Sequence, residues 1–359
     1  MALQGHDPEA LQARVLQRAS ELGFARTGIC DARGTDHRQE VMAWIADGKH
    51  GSMAYLKDRL EERLDPEVYV PGARSVICVA DRYHDGRRDR VRVDGPPRGR
   101  IARYARGRDY HKIIKKRLLR LAKELAEDHP GVEFRACVDT APVLEREHAA
   151  RAGLGLIGKH TLLIEPGVGS WMLLGVIISS ARIAPTPPGF DRPDPCGDCT
   201  RCIDACPTDA ITPFSVDAHR CIAYTTIEHR GDVDPDIARA TGDWLFGCDI
   251  CQEVCPHGQR SQRRDPKPIN EAYASRHSDF DLLEVLAWDD ESRLSALMGT
   301  AAKRATLLMW KRNAIICAAN AIREDPEHPS AAEIRARMSD IATDEEEDPL
   351  LRSLASEAQ

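Results

Sequence analysis

Residues 196–211 read CGDCTRCIDACPTDAI. Cys196, Cys199 and Cys202 recur at every third position, and Cys206 follows just before Pro207. This is the bacterial spacing that holds 4Fe-4S clusters, in which the fourth cysteine serves the other cluster. Three thiolates on a tight loop can cap three irons of one cubane. A fourth, at the start of the next helix, points toward a neighbour, and Pro207 suits that helix's first turn. A second set ends the same way, in Cys248, Cys251, Cys255 and Pro256, preceded at a distance by Cys221. Crossed ligation assigns Cys196, Cys199, Cys202 and Cys255 to cluster one. Cluster two takes Cys221, Cys248, Cys251 and Cys206. Residues 222–247 separate two ligands of one cluster. They depart from a plain ferredoxin and are expected to do more than connect.

The chain has 359 residues and 12 cysteines, with 42% hydrophobic and 30% charged residues. Such a mix supports a core and excludes a disordered, collagenous or small disulfide-stapled protein. Cys30, Cys78, Cys137 and Cys317 are scattered in apolar settings and read as small buried side chains. The most apolar stretch, 171–181, falls short of the about 18 residues that a membrane helix needs. Residues 1–23 carry early acids and no apolar h-region, so they read as an amphipathic helix rather than a signal peptide. The cytosol is the expected compartment, where clustered cysteines indicate metal before disulfide. Zinc is the alternative metal, but one tetrahedral ion does not explain two CxxxCP endings.

Outward from the cysteines, residues 184–195 hold five prolines, a stiff linker and the first expected boundary. The expected domains are 1–183, 184–258 and 259–359. The first reads as α/β: a strand at 25–30, a helix through 42–48, a buried strand at 75–80, a long loop at 82–108, and an amphipathic helix at 112–128. In that helix Ile113, Leu118, Leu121 and Leu125 can share a face. A strand edge is expected at 136–138, a helix at 141–153, and a β pair of 162–164 with 171–178 around Pro166-Gly167. From Phe280 onward the pattern is helical, and DEEED at 344–348 reads as a solvated run.

The flanks carry a resemblance. RYARGRDYH (103–111), VDTAPVLEREHAARAGLGLIGKHTLLI (138–164), GSWMLLGVI (169–177), RCIAYTTIEHRG (220–231) and GCDICQEVCP (247–256), together with the first cysteine run, resemble the epoxyqueuosine reductases. That family removes the epoxide oxygen in the last step of making queuosine at the wobble position of certain tRNAs. The resemblance implies a cobalamin-binding α/β (α+β) domain, an inserted two-cluster ferredoxin-like module and a C-terminal HEAT-like all-α region. It also implies that Asp139, of the VDT segment, is the catalytic proton donor, with a pKa raised by partial burial beside the corrin. Without it, Asp139 reads as a helix N-cap. The implied corrin contacts are Arg63, Ala102, Asp139, Leu163, Leu174, Ala223, Cys248 and Asp249. The carrier motif DxHxxG is absent, since Asp109-Tyr110-His111 and Asp217-Ala218-His219 lack its glycine. No histidine ligand to cobalt is therefore expected, and the resemblance implies a base-off cobalamin. The implied partners are tRNA carrying epoxyqueuosine and a low-potential donor such as a flavodoxin or ferredoxin. No membrane is involved, and a monomer is expected.

A net charge of −7 argues against a general nucleic-acid binder. Locally, however, residues 86–120 hold 14 Lys or Arg against 3 Asp or Glu. Arg260, Arg263, Arg264 and Lys267 form a second basic cluster, and Lys303, Arg304, Lys311 and Arg312 a third. These could track tRNA phosphates. Thr226, His229 and Arg230 lie where an anticodon loop could approach. Arg103 reads as a site contact ahead of a surface packing residue, Tyr104 as either, and Arg146 as a holder of Asp139 or of a corrin amide, or as half of a surface ion pair. His160 reads as a lone histidine that need not be a ligand, and Trp171 as core. Competing readings are a corrinoid reductase of small molecules, an iron–sulfur electron carrier and a zinc-stabilised RNA-binding protein.

Overall fold

The computed structural model describes residues 7–84, 89, 95–190, 194–259 and 269–358. In chain order the strands are β1 (Arg26–Asp31), β2 (Ser75–Arg82), β3 (Arg98–Ile101), β4 (Phe134–Cys137), β5 (Leu156–Ile157), β6 (Leu163–Ile164), β7 (Met172–Ser179), β8 (Ile211–Thr212), β9 (Ser215–Val216), β10 (Trp244–Phe246) and β11 (Asp279–Asp281). The main sheet runs β1-β2-β7-β4 and is antiparallel throughout, an α+β arrangement. β2 is buried along its whole length. Its side chains alternate between two cores. Ile77 and Val79 meet Leu11 and Val15 of helix Pro8–Glu21 and Leu118 and Leu121 of helix Tyr110–Asp128. Val76, Cys78 and Ala80 meet Val143 and Ala149, the latter on helix Glu145–Arg151. Burial on both faces explains why 75–80 reads as a continuous apolar run.

Several elements depart from the sequence pattern. In helix Tyr110–Asp128 the buried row is Ile114, Leu118, Leu121 and Leu125, so Ile114 rather than Ile113 faces the sheet. The helix expected at 141–153 begins only at Glu145, because Asp139 turns the chain in the left-handed region at φ +52°. The expected pairing of 162–164 with 171–178 reduces to one isolated bridge, Glu165 with Gly169. β7 instead lies between β2 and β4, and β6 pairs with β5. The stretch read as a loop at 82–108 contains β3, and Phe280 lies in β11 rather than in a helix.

A second sheet, β10-β3-β11, takes one strand from each of three distant segments, with β3 parallel to β10 and antiparallel to β11. Ile101, Leu245, Phe246 and Phe280 pack with Trp288 and Trp310 into the core under the C-terminal helices. These include Leu307–Glu324, Ala331–Thr343 and Pro349–Glu357. The four scattered cysteines are all buried. Among the described residues, no helix is long and apolar enough to cross a membrane.

Candidate active site and metal centres

The eight clustered cysteines carry free thiols and form two groups. Cys196, Cys199, Cys202 and Cys255 line one cavity of about 80 Å³ with His160 and His257. Around the second position, Cys248 feels the charges of Cys221 and Cys206, and Cys251 those of Cys248 and Cys221. Short helices Arg201–Asp204 and Ile250–Glu253 touch and carry Cys202 and Cys251. Backbone N–H groups face the sulfurs. Lys159 N–H donates to Cys196 Sγ at 3.4 Å and Ala210 N–H to Cys206 Sγ at 3.3 Å. Those of Ala223 and Tyr224 reach Cys221, and those of His257 and Gly258 reach Cys255. Burial pushes the thiols of Cys196, Cys202, Cys221, Cys248, Cys251 and Cys255 up, so metal loading must release protons. Among the described residues, no three His, Cys, Asp or Glu side chains converge on a single metal ion. A cubane spreads its thiolates wider than one ion does, so a soft all-thiol set with N–H donors fits a 4Fe-4S cluster.

Asp139 lies just beyond the end of β4. It is not an N-cap: the cap of helix Glu145–Arg151 is Leu144. Its side chain is 57% exposed. A polar chain holds it instead. His111 Nε2 lies 3.0 Å from Asp139 Oδ2, and His111 Nδ1 lies 2.8 Å from Asp109 Oδ1. Asp109 is also the N-cap of helix Tyr110–Asp128, accepting the His111 N–H. Burial works against charge on His111, but its hydrogen bonds to Asp109 and Asp139 outweigh it and raise the imidazole to about 9. Asp139 N–H donates to Glu145 Oε1 at 2.8 Å. Burial, then the Asp139 charge, pushes the Glu145 carboxyl up to about 8. Tyr110 stacks on the His111 ring at 3.9 Å, and Tyr104 meets Tyr110 edge-on at 6.1 Å. Sequence reading missed His111 and Glu145. The one signal was an Asp N-cap with a histidine two residues on.

The expected corrin contacts fall into two kinds. Arg63 has a buried Nε without a partner, and its charge feels Tyr55, Asp139 and Glu145. Ala102 packs with Ile222, Trp244 and Cys248, and a Cβ on Gly247 would stand 2.6 Å from the Ala102 Cβ. Ala223 and Leu174 are half-buried. A buried guanidinium nitrogen without a partner, and separately a set of small and apolar residues, fit the needs of an amide-rimmed, largely apolar macrocycle. Leu163 is core. Asp249 is 1% exposed, and its Oδ2 accepts the Arg103 N–H at 2.7 Å. Both ring nitrogens of His111 are engaged by carboxylates.

Several basic residues expected at a tRNA surface are spent inside the protein. Arg103 pairs with Asp89, Asp249 and Glu253, and so ties segments together. Arg106 pairs with Asp89, Arg98 with Asp279, Arg100 with Asp243 and Arg117 with Asp81. Arg146 donates to Thr161 O at 2.6 Å, not to Asp139. Arg304 pairs with Glu228 and Lys311 with Glu347. Arg312 is 1% exposed. Thr226 is buried and accepts the Gly247 N–H. His229 contacts the Asp232 carbonyl, while Arg230 is exposed. Arg108, Lys112 and Lys303 are exposed. Arg87, Arg88, Arg90, Arg92, Arg260, Arg263, Arg264 and Lys267 lie outside the described residues.

The family model described as epoxyqueuosine reductase QueG, DUF1730, matches residues 63–140, from Arg63 past Asp139. The model of the 4Fe-4S double cluster binding domain matches 195–258. The chain is 40% identical over 324 residues to the epoxyqueuosine reductase of Xanthomonas campestris pv. campestris, covering 88% of each. It is 39% identical to that of Synechococcus sp. strain CC9605, covering 87% of this chain and 97% of the relative. Among solved structures, the Streptococcus thermophilus epoxyqueuosine reductase superposes with a TM-score of 0.77 at 26% identity, covering 97% of this chain and 98% of that one. An epoxyqueuosine reductase crystallised with an epoxyqueuosine-modified tRNA-Tyr stem loop superposes at 0.82 with 25% identity, covering 97% and 89%. With one family model spanning the thiol sets, another reaching Asp139, and a relative 40% identical over 88% of both chains, the chain belongs to the epoxyqueuosine reductase family.

Proposed function

We propose that this chain reduces epoxyqueuosine to queuosine at the wobble position of tRNA. One observation carries the reading: the 40% identity extends over 88% of both chains, so it takes in the thiol sets and the acid together. When bound, cobalamin and two 4Fe-4S clusters would supply two low-potential electrons, fed singly by a flavodoxin or ferredoxin. Cys196, Cys199, Cys202 and Cys255 would hold cluster one, and Cys206, Cys221, Cys248 and Cys251 cluster two. Arg63, Ala102, Asp139, Leu163, Leu174, Ala223, Cys248 and Asp249 would contact the corrin. The C-terminal helices are read as a HEAT-like layer, and the protein as a cytosolic monomer.

The residues supply the protons. Opening an epoxide to an alkene and water consumes two protons with the two electrons. Asp139 is exposed and held by His111, so its Oδ2 is the group offered to the departing oxygen. The proton is stored on His111 Nε2 and delivered through Asp139 Oδ2. Glu145, with its carboxyl near 8, keeps a second proton beside Asp139 at neutral pH. The left-handed turn at Asp139 is the strained backbone that a functional position can retain.

The test is anaerobic reconstitution with iron, sulfide and cobalamin, followed by nucleoside analysis of tRNA carrying epoxyqueuosine. Wild type should bind about eight irons and one cobalamin, as two cubanes require, and form queuosine. Asp139→Ala should slow conversion by about 10²–10⁴-fold with cofactor content unchanged. Clusters without cobalamin would favour an electron carrier. Chloride release from a halogenated substrate without tRNA turnover would favour a small-molecule corrinoid reductase.

A further inference from the structure

We infer that His160 donates a hydrogen bond from Nε2 to cluster one, and that this bond raises the cluster's reduction potential. The inference rests on the reading of Cys196, Cys199, Cys202 and Cys255 as that cluster's ligands. His160 is 3% exposed. Leu162 N–H donates to its Nδ1 at 3.2 Å, so Nδ1 is an acceptor and the proton of the neutral ring sits on Nε2. Nε2 is buried and has no partner. A buried donor without an acceptor is costly, and such orphans call for a specific explanation.

The surroundings name the acceptor. His160 lines the cavity of about 80 Å³ that the four thiols share. The other imidazole there, His257, already meets the Pro195 carbonyl through its Nε2 at 2.9 Å. The remaining lining is Ile164, Pro195, Pro256 and Arg201, which offer no side-chain acceptor. Sulfur is what the cavity has to offer: the thiolates, and the sulfides once the cluster is in place.

The turn that carries His160 is fixed on several sides. Lys159 N–H donates to Cys196 Sγ, and Lys159 Nζ donates to the carbonyls of Gly197 at 2.6 Å and Cys199 at 3.1 Å. The Lys159 carbonyl accepts the Phe214 N–H at 3.0 Å. Thr161 closes the turn at φ +66°, with its carbonyl held by Arg146. Residues 158–162 thus form a cover over one cluster, with one N–H already on a ligand sulfur and a second buried beside it. Hydrogen bonds to cluster sulfur disperse negative charge and favour the reduced state, so the potential rises. His160 acts on the reaction only through that cluster.

The experiment compares reconstituted wild type, His160→Phe and His160→Gln by iron count and by redox titration followed by electron paramagnetic resonance. In His160→Phe one of the two midpoints should move negative while the other holds. At a fixed ambient potential its reduced-to-oxidised ratio should fall about tenfold, equivalent to about 59 mV for a one-electron couple. His160→Gln keeps a donor and should recover most of the shift. Unmoved midpoints in a fully loaded His160→Phe protein would overturn the proposal. If that variant does not load, pulsed resonance on histidine-¹⁵N-labelled protein decides. A histidine nitrogen coupling present in wild type and lost in His160→Gln supports the bond. A coupling absent from wild type, or retained in His160→Gln, overturns it. Wild type that binds no iron would instead sink the cluster assignment itself.

Discussion

His111 stands between two carboxylates, and its charge follows from them. Asp109 and Asp139 keep it protonated up to about 9, well above the ~6.5 of a free histidine. A histidine raised on folding gives its full stabilisation below the unfolded value and loses it as pH rises through the folded one. The stabilisation from Asp109–His111–Asp139 is thus full below about 6.5 and is lost as pH rises through about 9, where His111 gives up its proton. Single-turnover conversion should be level from neutral pH upward and fall as His111 deprotonates. His111→Gln should slow it by about 10²-fold and abolish that limb. Glu145, close by with its carboxyl near 8, could contribute a limb of its own, and Glu145→Gln separates the two. An alkaline limb that survives in His111→Gln would remove His111 from the proton path. His111 is hard to see in the sequence because it lacks the glycine that marks a cobalt-ligating histidine. A histidine placed by its own helix N-cap has no such spacing. Asp139 was visible only through the motif around it, since its left-handed backbone leaves no mark in hydrophobic pattern.

Helix Leu307–Glu324 illustrates how a basic segment can face inward. Arg312 Nη1 donates to the carbonyls of His229 and Gly231, each at 2.8 Å, and Nη2 to that of Thr225. Asn313 Nδ2 holds the Thr226 and Leu245 carbonyls, both at 3.0 Å, and Asn320 Nδ2 those of Ala238 and Gly242. One polar stripe therefore latches segment 222–247, which lies between two cluster ligands. Lys–Arg composition alone cannot distinguish such a latch from a phosphate-binding face, because the distinction depends on which carbonyls the fold brings near. β3 was hidden for a related reason: RGRI looks like a loop until Asp279 and Asp243 neutralise Arg98 and Arg100. The buried strand at 75–80, by contrast, was legible, since its apolar run needs no partner to be recognised. Arg312→Met strands one buried and two part-buried carbonyls, the buried one worth about 1–3 kcal/mol. Chemical denaturation should register a loss of about 3–5 kcal/mol, with earlier release of iron. Lys303→Ala, on an exposed position, should change stability by less than about 0.5 kcal/mol. Equal, small losses in both variants would refute the latch.

At the scale of the molecule, the three expected domains are tied together. β10 from the cysteine segment, β3 from the first segment and β11 from the last form one sheet. Tyr273 reaches across to β2, where its hydroxyl donates to Asp81 Oδ2 at 2.6 Å, on the carboxylate that also pairs with Arg117. A Cβ on Gly107 would stand 2.7 Å from the Tyr273 backbone, so these segments meet without a side chain between them. Proline-rich composition marks where the chain changes character, but says nothing about strands exchanged across that point. A chain ending after Gln259 would lose β11, Tyr273 and the cover over Ile101, Leu245 and Phe246. Exposed apolar faces of that size favour aggregation. The truncated chain should therefore be insoluble or fail to take up iron. In the full chain, loss of helical circular dichroism and of iron–sulfur absorbance should follow one denaturant curve. A soluble truncated chain that binds eight irons would contradict the interlock. So would C-terminal helices that melt well before the clusters are lost, and either result would restore 259–359 as an independent unit.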